Sequence, residues 1–179
     1  MTPLYLDTET TSLLARHSAP YSLDTEPRIV SLSVVTASGE VVGSQRINPG
    51  VPIPPAATRV HGIRDEDVAR SPTFAETWPR ILARVGAEAL VVAHNAPYDR
   101  AVLACELLRA GLPLPPWSWG CTLAAARRIL PAAPRHTLDA LGAVLGLPTR
   151  PDHSSLSDAR AAAELGAELT ARDAAWLDA

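Results

Sequence analysis

The chain has no lysine; all 16 of its basic residues other than histidine are arginine. A biased source genome explains that usage, and the absence counts against any chemistry that needs a lysine amine. Cysteine is scarce too. Cys105 and Cys121 stand alone without Cys-x-x-Cys spacing, which argues against a disulfide framework or structural zinc and makes a reducing compartment the default. Aromatic residues are only 4% of a chain that is 47% apolar, so the core must be aliphatic, built from Leu, Val and Ala. Excess charge of either sign is missing as well. A formal net charge of −3 gives no global basic field, which weakens any case for tight, sequence-independent duplex binding. No apolar run approaches bilayer length, and the opening Met-Thr-Pro-Leu-Tyr-Leu-Asp lacks the regions of a signal peptide. The expectation is a soluble, cytoplasmic protein without a membrane partner.

At 179 residues, one domain spanning 1–179 is expected. Leu4-Tyr5-Leu6 leads into Asp7 as a buried first strand; Arg28 to Thr36 and Val41 to Ile47 read as a second and third. The prolines between Asn48 and Pro55 predict a rigid, extended connection. Asp65 to Val68 suits one helical turn, and Ser71-Pro72 predicts a helix start running to about Val85. Ala89 to Ala93 reads as a buried parallel strand, followed by helix from about Pro97 to Ala110, stopped by Gly111. Further helices are expected at Leu123–Leu130, Thr137–Leu145 and Ser157 to about Trp176. Three strands able to pair antiparallel, then alternating helix and strand, indicate a mixed-sheet α/β domain.

Chemistry is concentrated in three short stretches: Leu6-Asp7-Thr8-Glu9-Thr10-Thr11, His94-Asn95-Ala96-Pro97-Tyr98-Asp99, and His153-Ser154-Ser155-Leu156-Ser157-Asp158. Residues two apart on a strand share a face, so Asp7 and Glu9 project together. Two adjacent anions stay ionised only with a cation between them, and hard oxygen ligands select Mg²⁺ or Mn²⁺ over zinc. Asp99, near the start of a helix that follows a parallel strand, should reach the same end of the sheet. His153 and Asp158 would lie about 140° apart on a regular helix. An N-cap among Ser154, Ser155 and Ser157 would instead leave His153 on the loop and Asp158 in the first turn. A loop histidine beside a metal-bound carboxylate is suited to take a proton from water.

These residues resemble the DEDDh 3′–5′ exonucleases of the ribonuclease H-like superfamily, over a stretch from about Pro3 to Leu165. Asn48-Pro49, Val60-His61-Gly62-Ile63, Cys121-Thr122-Leu123 and Thr137 to Leu141 look most like the proofreading exonuclease subunit of bacterial replicative DNA polymerase. The resemblance implies a five-stranded mixed sheet, its first three strands antiparallel, flanked by helices. It implies two divalent ions held by Asp7, Glu9, Asp99 and Asp158, with His153 as general base and nucleoside 5′-monophosphates as product. It also implies that Leu13 wedges the terminal base and that Val60 and His61 line its pocket. Thr8 and Thr10 flank the acids, Thr10 near the terminal sugar, and Asn95 belongs to the second motif. Ser12 stands where the family often has glycine. Ser31 stands where it has an acidic or amide residue, which would remove a hydrogen bond behind the metal ligands.

Any one of these acids alone would read as a strand end or a helix N-terminal carboxylate; their order and spacing together override that. His61 and His94 are expected to be structural or substrate-positioning, and His17 and His136 to lie on the surface. Arg127, Arg128, Arg135 and Arg150 fit solvated surface arginines at least as well as a phosphate track, and the tryptophans are expected to pack. A haloacid dehalogenase-type phosphatase is rejected, because the second acid is Glu9 and the usual lysine is missing. Single-stranded DNA 3′ ends are the expected substrate. The alternatives are RNA ends, a polymerase-associated proofreading subunit, and a catalytically inactive nucleic-acid or protein binding module. The chain stops just after its last expected helix, without a polymerase tether, so a free-standing enzyme, with a role in proofreading or DNA repair, is the preferred expectation.

Overall fold

The computed structural model describes residues 1–14 and 20–177. Five strands form one sheet in the order β3-β2-β1-β4-β5: β1 (Leu4–Thr10), β2 (Ile29–Thr36), β3 (Val41–Arg46), β4 (Leu90–Ala93) and β5 (Ser118–Cys121). β2 pairs antiparallel with both β1 and β3, while β1–β4 and β4–β5 are parallel. The antiparallel expectation therefore holds for each neighbouring pair. β1 is the switch, antiparallel on one side and parallel on the other.

Helices cover both faces: α1 (Pro55–His61), α2 (Asp65–Val68), α3 (Phe74–Val85), α4 (Ala96–Arg109), α5 (Thr122–Ile129), α6 (Leu138–Leu145) and α7 (Ser155–Arg172). Strand alternation sorts the core. Tyr5 and Val35 meet the alanine-rich side of α7, whereas Leu6, Leu32 and Val34 meet α3 and α4. Gly166 lets α7 come this close, since a Cβ there would lie 2.1 Å from the Tyr5 hydroxyl. The few aromatics pack as expected: Phe74 stacks on Trp78, which meets Trp117.

Three local expectations change. The proline-rich connection ends in α1, because Pro54 and Pro55 sit at the N-cap and first turn, where a missing N–H costs nothing. The next long helix, α3, starts later than Ser71-Pro72 suggests. Thr73 caps it, accepting from the Glu76 N–H at 3.4 Å while the Glu76 carboxylate accepts from the Thr73 N–H at 2.8 Å. Trp176 lies beyond α7 and packs back on it, its indole N–H donating to the Thr170 hydroxyl at 2.9 Å.

Candidate active site

Asp7 and Glu9 lie on the α7 side of β1, opposite Ser33 and Ser31 of β2. Those two serines build the site's support. The Ser155 hydroxyl, in the first turn of α7, lies 2.6 Å from that of Ser31 and 2.8 Å from that of Ser33. Ser44 of β3 adds a further hydroxyl 2.9 Å from Ser33. The helix start is thereby fixed against the strand next to the acids, and one turn later Asp158 reaches them. Carboxylate oxygens of Asp7, Glu9 and Asp158 lie within 4.8 Å of one another. Ser31, which stands where an acidic or amide residue is expected behind the ligands, bonds Ser155 and so takes part in anchoring α7.

Asp99 arrives from the opposite face of the sheet, in the first turn of α4. It is buried and accepts a hydrogen bond from the Thr8 hydroxyl at 2.8 Å. Its charge is felt at both Asp7 and Glu9. Asn95, just before α4, holds a left-handed backbone (φ 71°), and so does the exposed His153 (φ 60°). Non-glycine residues in that region are uncommon and cluster at functional sites. Ser154 caps α7 and leaves His153 on the loop before it, as the spacing predicts. His153 lies close enough to Asp158 and His61 to act on both electrostatically.

The electrostatics of the cluster are unfavourable by themselves. Burial, then the neighbouring acid charges, pushes Glu9 up to about 8 and Asp7 well above the usual carboxylate range. Burial pushes Asp99 up to about 7 against the Thr8 hydrogen bond, and raises Asp158 as well. None of the ion pairs among the described residues involves these four acids. Asp152, which the sequence did not single out, adds to the field at Glu9 and is kept ionised by Ser154. Hard, anionic oxygens, partly desolvated and in no ion pair with an arginine among the described residues, are a donor set that fits a divalent cation.

Beside the cluster opens a cavity of about 600 Å³, lined among others by Glu9, Thr10, Leu13, Val60, His61 and Tyr98. Leu13 and Val60, 84% and 53% exposed, both line this one cavity and give it an apolar face. His61 is fixed as one tautomer: its Nδ1 accepts from the Ile63 N–H at 3.0 Å, which leaves Nε2–H to donate to the Thr10 carbonyl at 3.3 Å. The Thr10 hydroxyl lies 2.8 Å from the Ser12 carbonyl and 2.5 Å from the Tyr98 hydroxyl. Tyr98 also donates to the Ser12 carbonyl at 2.9 Å. Thr10 is therefore engaged in shaping the loop, and Tyr98 is a pocket residue the sequence reading missed. Its position one residue before Asp99 was the available signal.

His94 and His136 are tied into the fold by hydrogen bonds. His94 bonds the Thr122 hydroxyl and the His136 carbonyl, both at 3.0 Å, and burial pushes it down to about 4. His136 is half-buried, not on the open surface, and reaches the Leu130 carbonyl at 3.0 Å. His17 lies outside the described residues.

Strand order, the two helices from opposite faces and the acids at the β1 end define a ribonuclease H-like α/β architecture. The exonuclease family profile, RNase_T, matches residues 4–165. A DNA polymerase III subunit epsilon-like protein of Rhodobacter capsulatus is 36% identical over 169 residues, 92% of this chain and 23% of that protein. The DNA polymerase III subunit epsilon of Rickettsia felis is 32% identical over 177 residues, 93% of this chain and 73% of that protein. Among solved structures, exonuclease X in complex with 5′ overhanging duplex DNA superposes with a TM-score of 0.73 at 28% identity, covering 96% of this chain and 93% of that one. The chain belongs to this exonuclease family, in its DEDDh branch. It spans only part of several curated relatives, 23% of the Rhodobacter protein among them.

Proposed function

We propose that this chain is a single-domain 3′–5′ exonuclease that removes nucleoside 5′-monophosphates from the 3′ ends of single-stranded DNA. The observation that carries the reading is the convergence of four acids from three distant segments, Asp7 and Glu9, Asp99, and Asp158, none of them in an ion pair among the described residues. Asp7, Glu9, Asp99 and Asp158 would hold two divalent ions, Mg²⁺ or Mn²⁺. Such ions supply Lewis acidity to the phosphate and its attacking water and stabilise the departing oxygen. The protein's own groups do the rest. Leu13, Val60 and the fixed His61 ring offer an apolar seat for the terminal base and orient the last phosphodiester toward the acids. His153, exposed and beside Asp158, takes the proton of the attacking water as general base. In-line attack then breaks the bond to the 3′-oxygen of the preceding nucleotide, which leaves and is protonated.

The similarity to a structure of exonuclease X with 5′ overhanging duplex DNA supports DNA as the polymer. The test is a set of 5′-labelled DNA and RNA oligomers incubated with and without Mn²⁺. A metal-dependent ladder shortening from the 3′ end, on DNA in preference to RNA and absent in Asp7→Ala, is expected. Internal fragments, or normal turnover by Asp7→Ala, would refute the proposal.

A further inference from the structure

β1, β4 and β5 run parallel, so Thr10, Ala93 and Cys121 end along one edge of the sheet, where open α/β sheets place their ligands. The pocket beside Leu13 and Val60 occupies the β1 end of that edge. A second cavity, about 430 Å³, occupies the β4–β5 end, with Asn95, Arg127, Arg135 and Thr137 in its wall. Asn95 immediately precedes α4, so the start of the helix that carries Asp99 stands between the two.

The second cavity is positively charged in a chain of net charge −3. Arg127 and Arg135 are exposed and take no part in the ion pairs among the described residues, whereas Arg128 beside them is bonded to Asp173 at 2.6 Å. Asp139 accepts from the Thr137 hydroxyl and the Ala140 N–H and feels the charge of Arg135, but it is not part of the cavity wall. His94 contributes no charge, held neutral by burial between Thr122 and His136. Two guanidinium groups thus line a cavity whose wall holds no carboxylate, beside an exposed asparagine amide. Guanidinium forks match phosphate oxygens in geometry as well as charge.

We infer that this cavity seats the phosphodiester backbone upstream of the scissile bond, with Arg127 and Arg135 on its phosphates, while the terminal nucleotide fills the pocket at Leu13 and Val60. The strand then crosses the start of α4, passing the acids between the two cavities. The inference rests on the 3′-end reading of the acid cluster and adds the direction in which the substrate leaves it.

The test compares wild type with Arg127→Ala/Arg135→Ala on two probes. One is a 5′-fluorescein oligothymidylate with a nuclease-resistant phosphorothioate 3′ linkage, followed by anisotropy over a salt series. The other is the p-nitrophenyl ester of thymidine 5′-monophosphate, which reaches only the terminal pocket. The double variant should bind the oligomer on the order of tenfold more weakly, with a salt slope shallower by about 0.7 per lost phosphate contact, and hydrolyse the ester at the wild-type rate. Unchanged oligomer affinity and slope would overturn the assignment. So would equal losses on both probes, which mark general damage. A wild type that cleaves no ester and no ordinary oligomer would instead sink the nuclease reading, while oligomer binding would still decide the role of the cavity.

Discussion

Glu9 and Asp99 illustrate how a site can be built against its own stability. Their carboxyl groups are raised to about 8 and about 7, so the folded protein prefers them protonated while the unfolded chain ionises them near 4.5 and 3.8. A raised acid contributes stability that is fully present below the unfolded value and lost as pH climbs through the folded one. The melting temperature of the protein in chelator should therefore fall as pH rises from about 3.8 to about 8. Added Mg²⁺ or Mn²⁺ should restore it, by a margin that grows over the same interval as cations replace protons. Thermal denaturation across pH, with and without metal, checks both trends. His153 behaves differently, since it faces solvent on a loop. His153→Ala should keep the wild-type melting temperature and lower kcat roughly 10²–10⁴-fold, the usual contribution of a general base, as measured by single-turnover cleavage.

At the scale of elements, the start of α7 decides whether Asp158 meets Asp7 and Glu9. Ser155, 2% exposed, shares its hydroxyl with Ser31 and Ser33, the residues facing Glu9 and Asp7 across the β1–β2 ladder. Ser155→Ala should cost about 1–3 kcal/mol in urea denaturation, because buried hydroxyls lose a partner. It should also raise the metal concentration needed for half-maximal activity, because the helix start that carries Asp158 is less firmly held. An unchanged metal requirement would separate the anchor from the site. This is also the scale at which the sequence was least legible. Asp-x-Glu on a strand, and a serine cap between His153 and Asp158, are local patterns and could be read directly. The hydroxyl cluster depends on strand register and on a contact spanning 124 residues, so Ser31 alone looked like a loss. The start of α1 was obscured for another reason, since a pair of prolines signals an extended connection and a helix start equally well.

For the molecule as a whole, the aliphatic composition and the order of strands and helices sufficed to indicate a mixed α/β sheet, but not which helix covers which face. That sorting comes from alternation along β1: Tyr5, Asp7 and Glu9 face α7, while Leu6 and Thr8 face α4. The result brings acids from both sides of the sheet to one end of a strand, with two cavities flanking them along the same edge. On the proposed function, the acid cluster must be neutralised before a polyanion can approach it, which would make the cation the condition for the steps that follow. Calorimetric titration of Mn²⁺ into the purified protein above pH 8 tests that condition most directly, beside the same titration of Asp7→Asn. Saturable binding to two sites, weakened severely by the single substitution, is the expected result; heats no larger than dilution, or identical isotherms for both proteins, would contradict it.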